Sequence, residues 1–430
     1  MSIFGGLRSA VTGLTAQSQS LGMIADNISN VSTVGYKQTT PQFSTLVTTQ
    51  ATKSQHSPGG VTTNVQRAID KQGLLEASSS ATDLAISGNG FFVVNENDTG
   101  SGSTLFTRAG SFRPDKDGNL VNTAGFYLMG WPVVGGAVQQ TNVLSGFSVV
   151  NVGNLVSAPQ ASTLIDLGAN LSATTATGGT FDISAPLFDQ QGATHNLTMT
   201  FTKTINANEW TLTGTLNNAL FDDGGAGLTT ATMGTVTFNA DGTLGTVAAN
   251  AGITALSGDD LVFTVDHDSN TATAADQVAV TLNLGTLNLT DGLTQFAGAN
   301  TPNFINQDGR SFGSPIAVTI AEDGTVTVQF DNGSARDVYQ VPLVTFNSPN
   351  GLSEKTGNVF LETTFSGTAT AHAAGTGGAG TIAPSALEAS TVDIADEFTR
   401  MIITQRAFSA NTRVITTGDE MLDELVRIIR

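Results

Sequence analysis

The histidines and acidic clusters are where chemistry would first be sought. His56, His195, His267 and His372 lie in separate segments, and none pairs with another at the spacing that places two metal ligands on one helix face. Asp266-His267-Asp268 puts three potential ligands in a row, and is read as a polar strand end or loop. Asp115-Lys116-Asp117-Gly118-Asn119 begins like a calcium loop but lacks the distal Glu, so a hairpin turn is expected. Ser87-Gly88-Asn89-Gly90 precedes an apparent strand rather than a helix, which suits a tight turn and not a phosphate cradle. With Cys at 0 there is no thiol nucleophile, thiolate site or disulfide. No Ser-His-Asp set or carboxylate pair stands out. No catalytic residue, cofactor or metal is therefore assigned, and the chain is expected not to be an enzyme.

What the sequence does space regularly is apolar residues at its two ends. Ile3, Leu7, Ala10, Leu14, Gln17, Leu21, Ile24, Ile28 and Val31 recur three and four apart. Ile394, Phe398, Met401, Gln405, Phe408, Thr412, Ile415, Asp419, Leu422, Val426 and Ile429 do the same. Sustained over about four or five heptads, this spacing is that of a coiled-coil seam. The apolar members, from Ile3 to Val31 and from Ile394 to Ile429, are the candidate self-assembly residues. Because the two helices flank everything else, one runs toward the body and the other away from it, making them antiparallel neighbours. At 1.5 Å per residue they reach roughly 45 and 55 Å. Phe4, Val11, Met23, Ile402, Ile403, Val414, Met421, Leu425 and Ile428 fall outside the stripes. Packing on the chain's own β core is the alternative, but this surplus calls for other subunits. Gly5, Gly6, Gly13 and Gly22 each cost the first helix up to about 1 kcal/mol relative to Ala, so it is expected to be unfolded until its seam is buried.

Between the helices the texture is β. Candidate strands fall at 84–86, 91–94, 105–108, 120–122 and 127–129, then at 197–201, 210–212, 236–238 and 261–265, and again at 316–320, 325–330 and 341–346. The expected fold is mainly β with long helical termini: an antiparallel, coiled-coil-like helix pair plus a split β domain carrying an inserted outer one. The boundaries read as a first helix over 1–33, a linker over 34–75, a middle β domain split into 76–146 and 301–383, an acidic insertion over 147–300, and a last helix over 384–430. Ala373 to Gly380 reads as a flexible connection, and either Ser385 with Glu388 or Ser390 with Asp393 could cap the last helix.

Charge narrows the partners. The net value is −19, and the insertion holds thirteen acidic residues with Lys203 its single base. Such a centre disfavours nucleic acid and anionic membrane surfaces. No apolar run is long enough to cross a bilayer, since 126–138 is broken by Gly130, Pro132, Gly135 and Gly136. Polar residues between Ser9 and Gln19 also argue against a Sec-type leader.

The first helix ends in Ala25-Asp26-Asn27-Ile28-Ser29-Asn30-Val31-Ser32-Thr33-Val34-Gly35-Tyr36-Lys37, which resembles the signature of flagellar rod and hook proteins. Asn27, Asn30, Gly35, Tyr36 and Lys37 carry that motif. Val392 to Phe398, Gln405 to Asn411 and Asp419 to Leu422 are similar to the family's C-terminal helix; Thr82 to Phe92 and Phe106 to Phe112 are similar to its β domain. Departures are Asp26 for Asn, Ser29 for Ala, and Gly418 where a better helix former is usual. Length and insertion fit the hook branch better than the shorter distal rod. The resemblance implies a homopolymeric hollow tube, flexible and torque-transmitting, with paired helices lining its channel. It also implies export by the flagellar type III apparatus, and meetings with the distal rod protein, a hook cap and a hook-filament junction protein. Distal rod protein is the nearest rival reading. A secreted β-rich adhesin or calcium-stabilised surface protein, or a glycan-acting enzyme, would not need the helical ends.

Overall fold

The computed structural model describes residues 3–46, 59–138, 146–222, 227–251, 253–267 and 277–429. His56 and Asp268 lie outside them. The chain divides into two compact units, one made of Met1–Leu155, Ala317–Gln329 and Ala335–Arg430, the other of Val156–Ile316 and Phe330–Ser334.

In the first unit two helices, α1 (Ile3–Ser29) and α2 (Ile394–Ile429), bracket the β structure. Asp393 itself caps α2: its Oδ1 accepts from the Ala395 and Asp396 N–H groups at 2.8 and 3.2 Å, correcting the two serine-based caps. Asp396 and Glu397 follow in the first turn, where negative charge complements the helix dipole. The segment expected as a linker carries a hairpin, β1 (Thr39–Thr45) and β2 (Val61–Arg67), in register from Thr39↔Arg67 to Thr45↔Val61. An isolated hairpin is marginal in water. This one is tied to α1, since Val61 N–H donates to Thr12 Oγ1 at 3.2 Å.

The sheet of this unit runs through Ala335–Gln340, Tyr127–Val134, Phe92–Asn95, Thr104–Thr107 and Val359–Leu361. Its core gathers Phe91, Phe106, Trp131, Phe346 and Phe360. Phe91 and Phe106 meet Phe346 edge-on at 5.8 and 4.9 Å, the geometry aromatic quadrupoles favour. Residues 373–380, expected as a flexible connection, end a strand at Ala373 and then form a closed turn. Gly375 N–H donates to Gly380 O at 2.8 Å and Gly380 N–H to Asn89 O at 2.6 Å. The Asp115 segment is a turn too, its Oδ1 accepting from the Asp117 and Asn119 N–H groups at 2.9 and 2.8 Å.

The second unit is a β-sandwich. A five-stranded antiparallel sheet runs in order Thr180–Phe188, Thr194–Lys203, Glu209–Asn217, Thr230–Phe238, Leu244–Ala249. A seven-stranded sheet is built around Asp260–Asp266, Gln277–Asn283 and Leu164–Asn170. Leu197, Phe201, Trp210, Phe263 and Leu282 share the core between them. Opposite that core, threonines line the outer face of the first sheet, with hydroxyl pairs such as Thr215–Thr230 at 3.2 Å and Thr237–Thr246 at 2.6 Å. The unit begins later than residue 147, because Ser148–Val149 pairs with Met129 and Gly130 in the first unit. It extends past 300 because Thr301–Gln307 pairs with Leu164–Asn170. Within it, His195 and His267 are buried with ring centroids 4.8 Å apart. Among the described residues no cluster of three or more His, Cys, Asp or Glu is arranged to hold a metal. No helix among them is long and apolar enough to cross a membrane.

Candidate functional site

The site has two parts: a seam where α1 meets α2, and a buried anchor where the ends of both helices join the β structure. Along the seam Leu7 lies against Gly418 and Gly13 against Asn411, so the helices are antiparallel. A Cβ on Gly418 would stand 2.6 Å from Leu7 Cδ2, and one on Gly13 2.9 Å from Asn411 Nδ2. The absence of those side chains sets how closely the helices approach.

The buried line differs from the expected stripe in one respect. On α1 it is Ala10, Gly13, Ala16, Ser20, Ile24 and Asn27; on α2 it is Glu397, Thr404 and Gly418, with Asn411 half-buried. Leu7, Leu14, Leu21, Ile28 and Val31 are half-buried beside it, as are Met401, Ile415 and Leu422. Ile394, Phe398, Phe408 and Val426 are exposed, and the side chains of Ile3 and Ile429 lie outside the described residues. The stripe paired Ala10, Gln17 and Ile24 with the residues four further on; the buried positions are those three further on, Gly13, Ser20 and Asn27. The same shift on α2 replaces Gln405, Thr412 and Asp419 by Thr404, Asn411 and Gly418. Small and polar residues fill this line, so an apolar pattern misses it. What remains in water is large: Phe4 is 70% exposed, Ile403 62% and Ile428 76%.

The anchor is built from the motif residues. Gly35 has φ +68, and a Cβ there would stand 2.8 Å from backbone atoms of Arg108 and Ala109, so only glycine fits. Its N–H donates to Glu388 O at 2.7 Å. Lys37 Nζ then reaches Glu388 Oε1 at 2.6 Å and Lys71 O at 2.5 Å. Arg108 Nη1 approaches Glu388 Oε2 at 3.3 Å, its Nη2 donates to Gly88 O at 3.0 Å, and its guanidinium stands 5.1 Å from the Phe91 ring centroid. Gly73 N–H adds a bond to Oε1 at 2.8 Å. Glu388 is 0% exposed, Arg108 2% and Lys37 4%, so two cations and one carboxylate are held out of water together. Burial pushes the Lys37 amine and the Arg108 guanidinium down from their ordinary values, and Glu388 opposes both shifts.

Around this triad the other motif residues lock the exit of α1. Asn27 Nδ2 donates to Thr39 O at 2.8 Å while its Oδ1 accepts from Thr39 N–H at 3.0 Å and Tyr36 Oη–H at 3.3 Å. Asn30 Oδ1 accepts from the Thr33 hydroxyl at 3.1 Å. Gln38 links to the start of α2, its N–H to Thr391 Oγ1 at 2.9 Å and its Nε2 to Glu397 Oε1 at 2.5 Å. The arrangement fixes both helices to one rigid point. Gln38 was not singled out from sequence, Arg108 and Glu397 entered only within family-like stretches, and Glu388 only as a possible cap partner; a pair separated by 351 positions, as Lys37 and Glu388 are, leaves no local pattern.

Comparison with known proteins follows the same segments. The family model described as flagella basal body rod protein matches residues 7–37, and that for the flagellar basal body rod FlgEFG protein C-terminal region matches 383–428. The flagellar hook protein FlgE/F/G D1 domain matches 85–163, and the flagellar basal body protein FlaE D2 domain 154–310. Flagellar hook protein FlgE of Brucella suis biovar 1 (strain 1330) is 37% identical over 436 residues, covering 100% of both chains. That of Rhizobium meliloti (strain 1021) is 36% identical over 433 residues, again covering 100% of both. The chain belongs to the flagellar hook protein FlgE family. The Escherichia coli (strain K12) member is 30% identical, covering 97% of this chain and 98% of that one. Among solved structures, Helicobacter pylori flagellar hook protein FlgE2 is similar with TM-score 0.47 and 14% identity, over 71% of this chain and 98% of that one. In the hook-family chain, the three arms of the anchor fall in three different matched segments: Lys37 in the first, Arg108 in the D1 segment, Glu388 in the C-terminal one.

Proposed function

We propose that the chain is a structural subunit of the bacterial flagellar hook, assembling with copies of itself into a flexible hollow tube that passes torque from motor and rod to filament. One observation carries the reading: a chain alike over its whole length to hook proteins has a terminal helix pair that hides small residues and leaves its largest apolar ones in water. That apolar surface is the size and kind that identical neighbours cover. The helix seam supplies cohesion, the Lys37–Glu388–Arg108 anchor transmits load from β structure to helices, and the inserted sandwich, polar on its outer face, slides on bending. Export through the flagellar type III apparatus suits a chain with no disulfide to hold it folded. The distal rod protein, hook cap and hook-filament junction protein are its expected neighbours, at the extracellular hook.

Electron microscopy of polymer grown from the purified chain tests this. Curved hollow tubes are expected. Straight rods would favour the distal rod reading, and a chain that stays monomeric at all concentrations would contradict assembly altogether.

A further inference from the structure

Between α1, the β1–β2 hairpin and α2 lies a cavity of about 430 Å³, lined in part by Ile24, Pro41, Phe43, Glu397 and Ile403. Its rim is open and mixed, with Thr39, Gln42 and Arg400 beside two exposed apolar residues, Phe43 at 49% and Ile403 at 62%. Glu397 is 0% exposed. One of its carboxylate oxygens, Oε1, accepts from Gln38 Nε2 at 2.5 Å and has Arg400 Nη1 at 3.7 Å, from a side chain that is 46% exposed. The other, Oε2, has no hydrogen-bond partner among the described residues. Buried carboxylate oxygens are nearly always bonded, because an unmet charge out of water is costly.

The same helix pair carries the complementary groups. Arg8, Arg406 and Arg413 are exposed, and none forms a salt bridge among the described residues. A metal ion would want further carboxylates, and the cavity offers Glu397 alone beside Arg400. Mixed walls, with Ile24, Phe43 and Ile403 beside one buried carboxylate, suit a guanidinium, whose alkyl stem and flat face pack on hydrocarbon while its fork binds the oxygens.

We propose that Glu397 is a socket for an arginine of a neighbouring copy of this chain, drawn from Arg8, Arg406 or Arg413 of that copy's helix pair, and that the pairing forms only on assembly. This rests on the reading that the helix pairs assemble with one another. Within one chain's helix pair Oε2 is left without a partner; in the polymer the incoming guanidinium completes it. Register between subunits follows, because an apolar face can slide and a buried ion pair cannot.

The test is elongation of the purified full-length chain from sheared wild-type seeds, followed by sedimentation. Glu397→Gln is expected to raise the critical concentration by roughly thirtyfold or more while monomer melting is no lower than wild type. One of Arg8→Ala, Arg406→Ala and Arg413→Ala should give a comparable loss and add nothing when combined with Glu397→Gln. Wild-type elongation by Glu397→Gln overturns the socket, and so does a loss that couples only to Arg400→Ala, which would place the pairing within one chain. If Glu397→Gln does not fold, the arginine variants decide alone, and three normal critical concentrations overturn it. Failure of the intact chain to elongate removes the assembly reading itself, and the socket with it.

Discussion

The inserted sandwich and the terminal helix pair handle apolar surface in opposite ways. In strand Thr194–Lys203 of the sandwich, Leu197, Met199 and Phe201 turn into the core while Thr198, Thr200 and Thr202 face out. In the helix pair the buried line is mostly Ala, Gly, Ser, Thr and Asn, with Ile24 and Glu397, while Phe398, Ile402 and Ile403 face out. A sheet with a satisfied interior and a hydroxylated exterior is complete within one chain. A helix pair with its bulk turned outward is complete only in company.

The sharpest way to break this contrast is to damage each region separately. Ile402 is 52% exposed, so Ile402→Asp should leave the monomer's circular dichroism intact. It should nonetheless abolish pelletable polymer, because assembly would bury an unpaired charge. Trp210 is fully buried in the sandwich, and Trp210→Ala should lower that unit's stability by about 3–5 kcal/mol. Seeded elongation should survive it. If the helix variant pellets like wild type, or the folded sandwich variant does not, the division of labour is wrong.

Next in size is the anchor. Glu388→Ala strands Lys37 and Arg108 in a water-free site without their counter-charge, at a cost of about 3–5 kcal/mol. The two tryptophans make the location readable: Trp131 belongs to the core of the first unit and Trp210 to that of the second. In urea unfolding followed by fluorescence, Glu388→Ala in a Trp210→Phe background should move the Trp131 transition to lower urea. In a Trp131→Phe background the Trp210 transition should stay in place.

The same contrast explains how far the sequence could be read. In the sandwich the candidate strands at 197–201, 210–212, 236–238 and 261–265 fall within observed ones, because hydrophobicity decides which side chains turn inward. For the helices, hydrophobicity identified helical character and antiparallel neighbours, then selected Leu14, Leu21 and Ile28, which are half-buried, where Gly13, Ser20 and Asn27 are the buried positions. Gly418, which departs from the family's usual choice, has a structural account: it makes room for Leu7. The expected linker was read as holding short extended pieces, but their pairing as a hairpin was hidden because a polar, two-sided ribbon has no buried face to impose a period. Glu388 and Arg108 lay in plain view as charged residues, but burial and partnership are properties of the fold, not of their neighbours in the chain.

The smallest effect concerns acid. Asp291 accepts from Thr286 Oγ1–H at 2.8 Å and Thr286 N–H at 2.9 Å, and those bonds, the hydroxyl's first, hold its carboxyl below the usual range. A group depressed in the folded state lends stability above its unfolded pKa, about 3.9, and that contribution is lost as pH falls through the lower folded value. Asp291→Asn removes the titration, so the Trp210 transition should lose less stability on acidification below roughly pH 4 than it does in the intact chain. The change is small because the carboxylate is almost wholly in solvent, where screening weakens it. It should also be confined: the loop that Asp291 closes belongs to the sandwich, so the Trp131 transition should follow the wild-type acid profile. A matching change at Trp131 would mean that the two units unfold as one, and the contrast between a finished region and an unfinished one would then describe surfaces only and not stabilities.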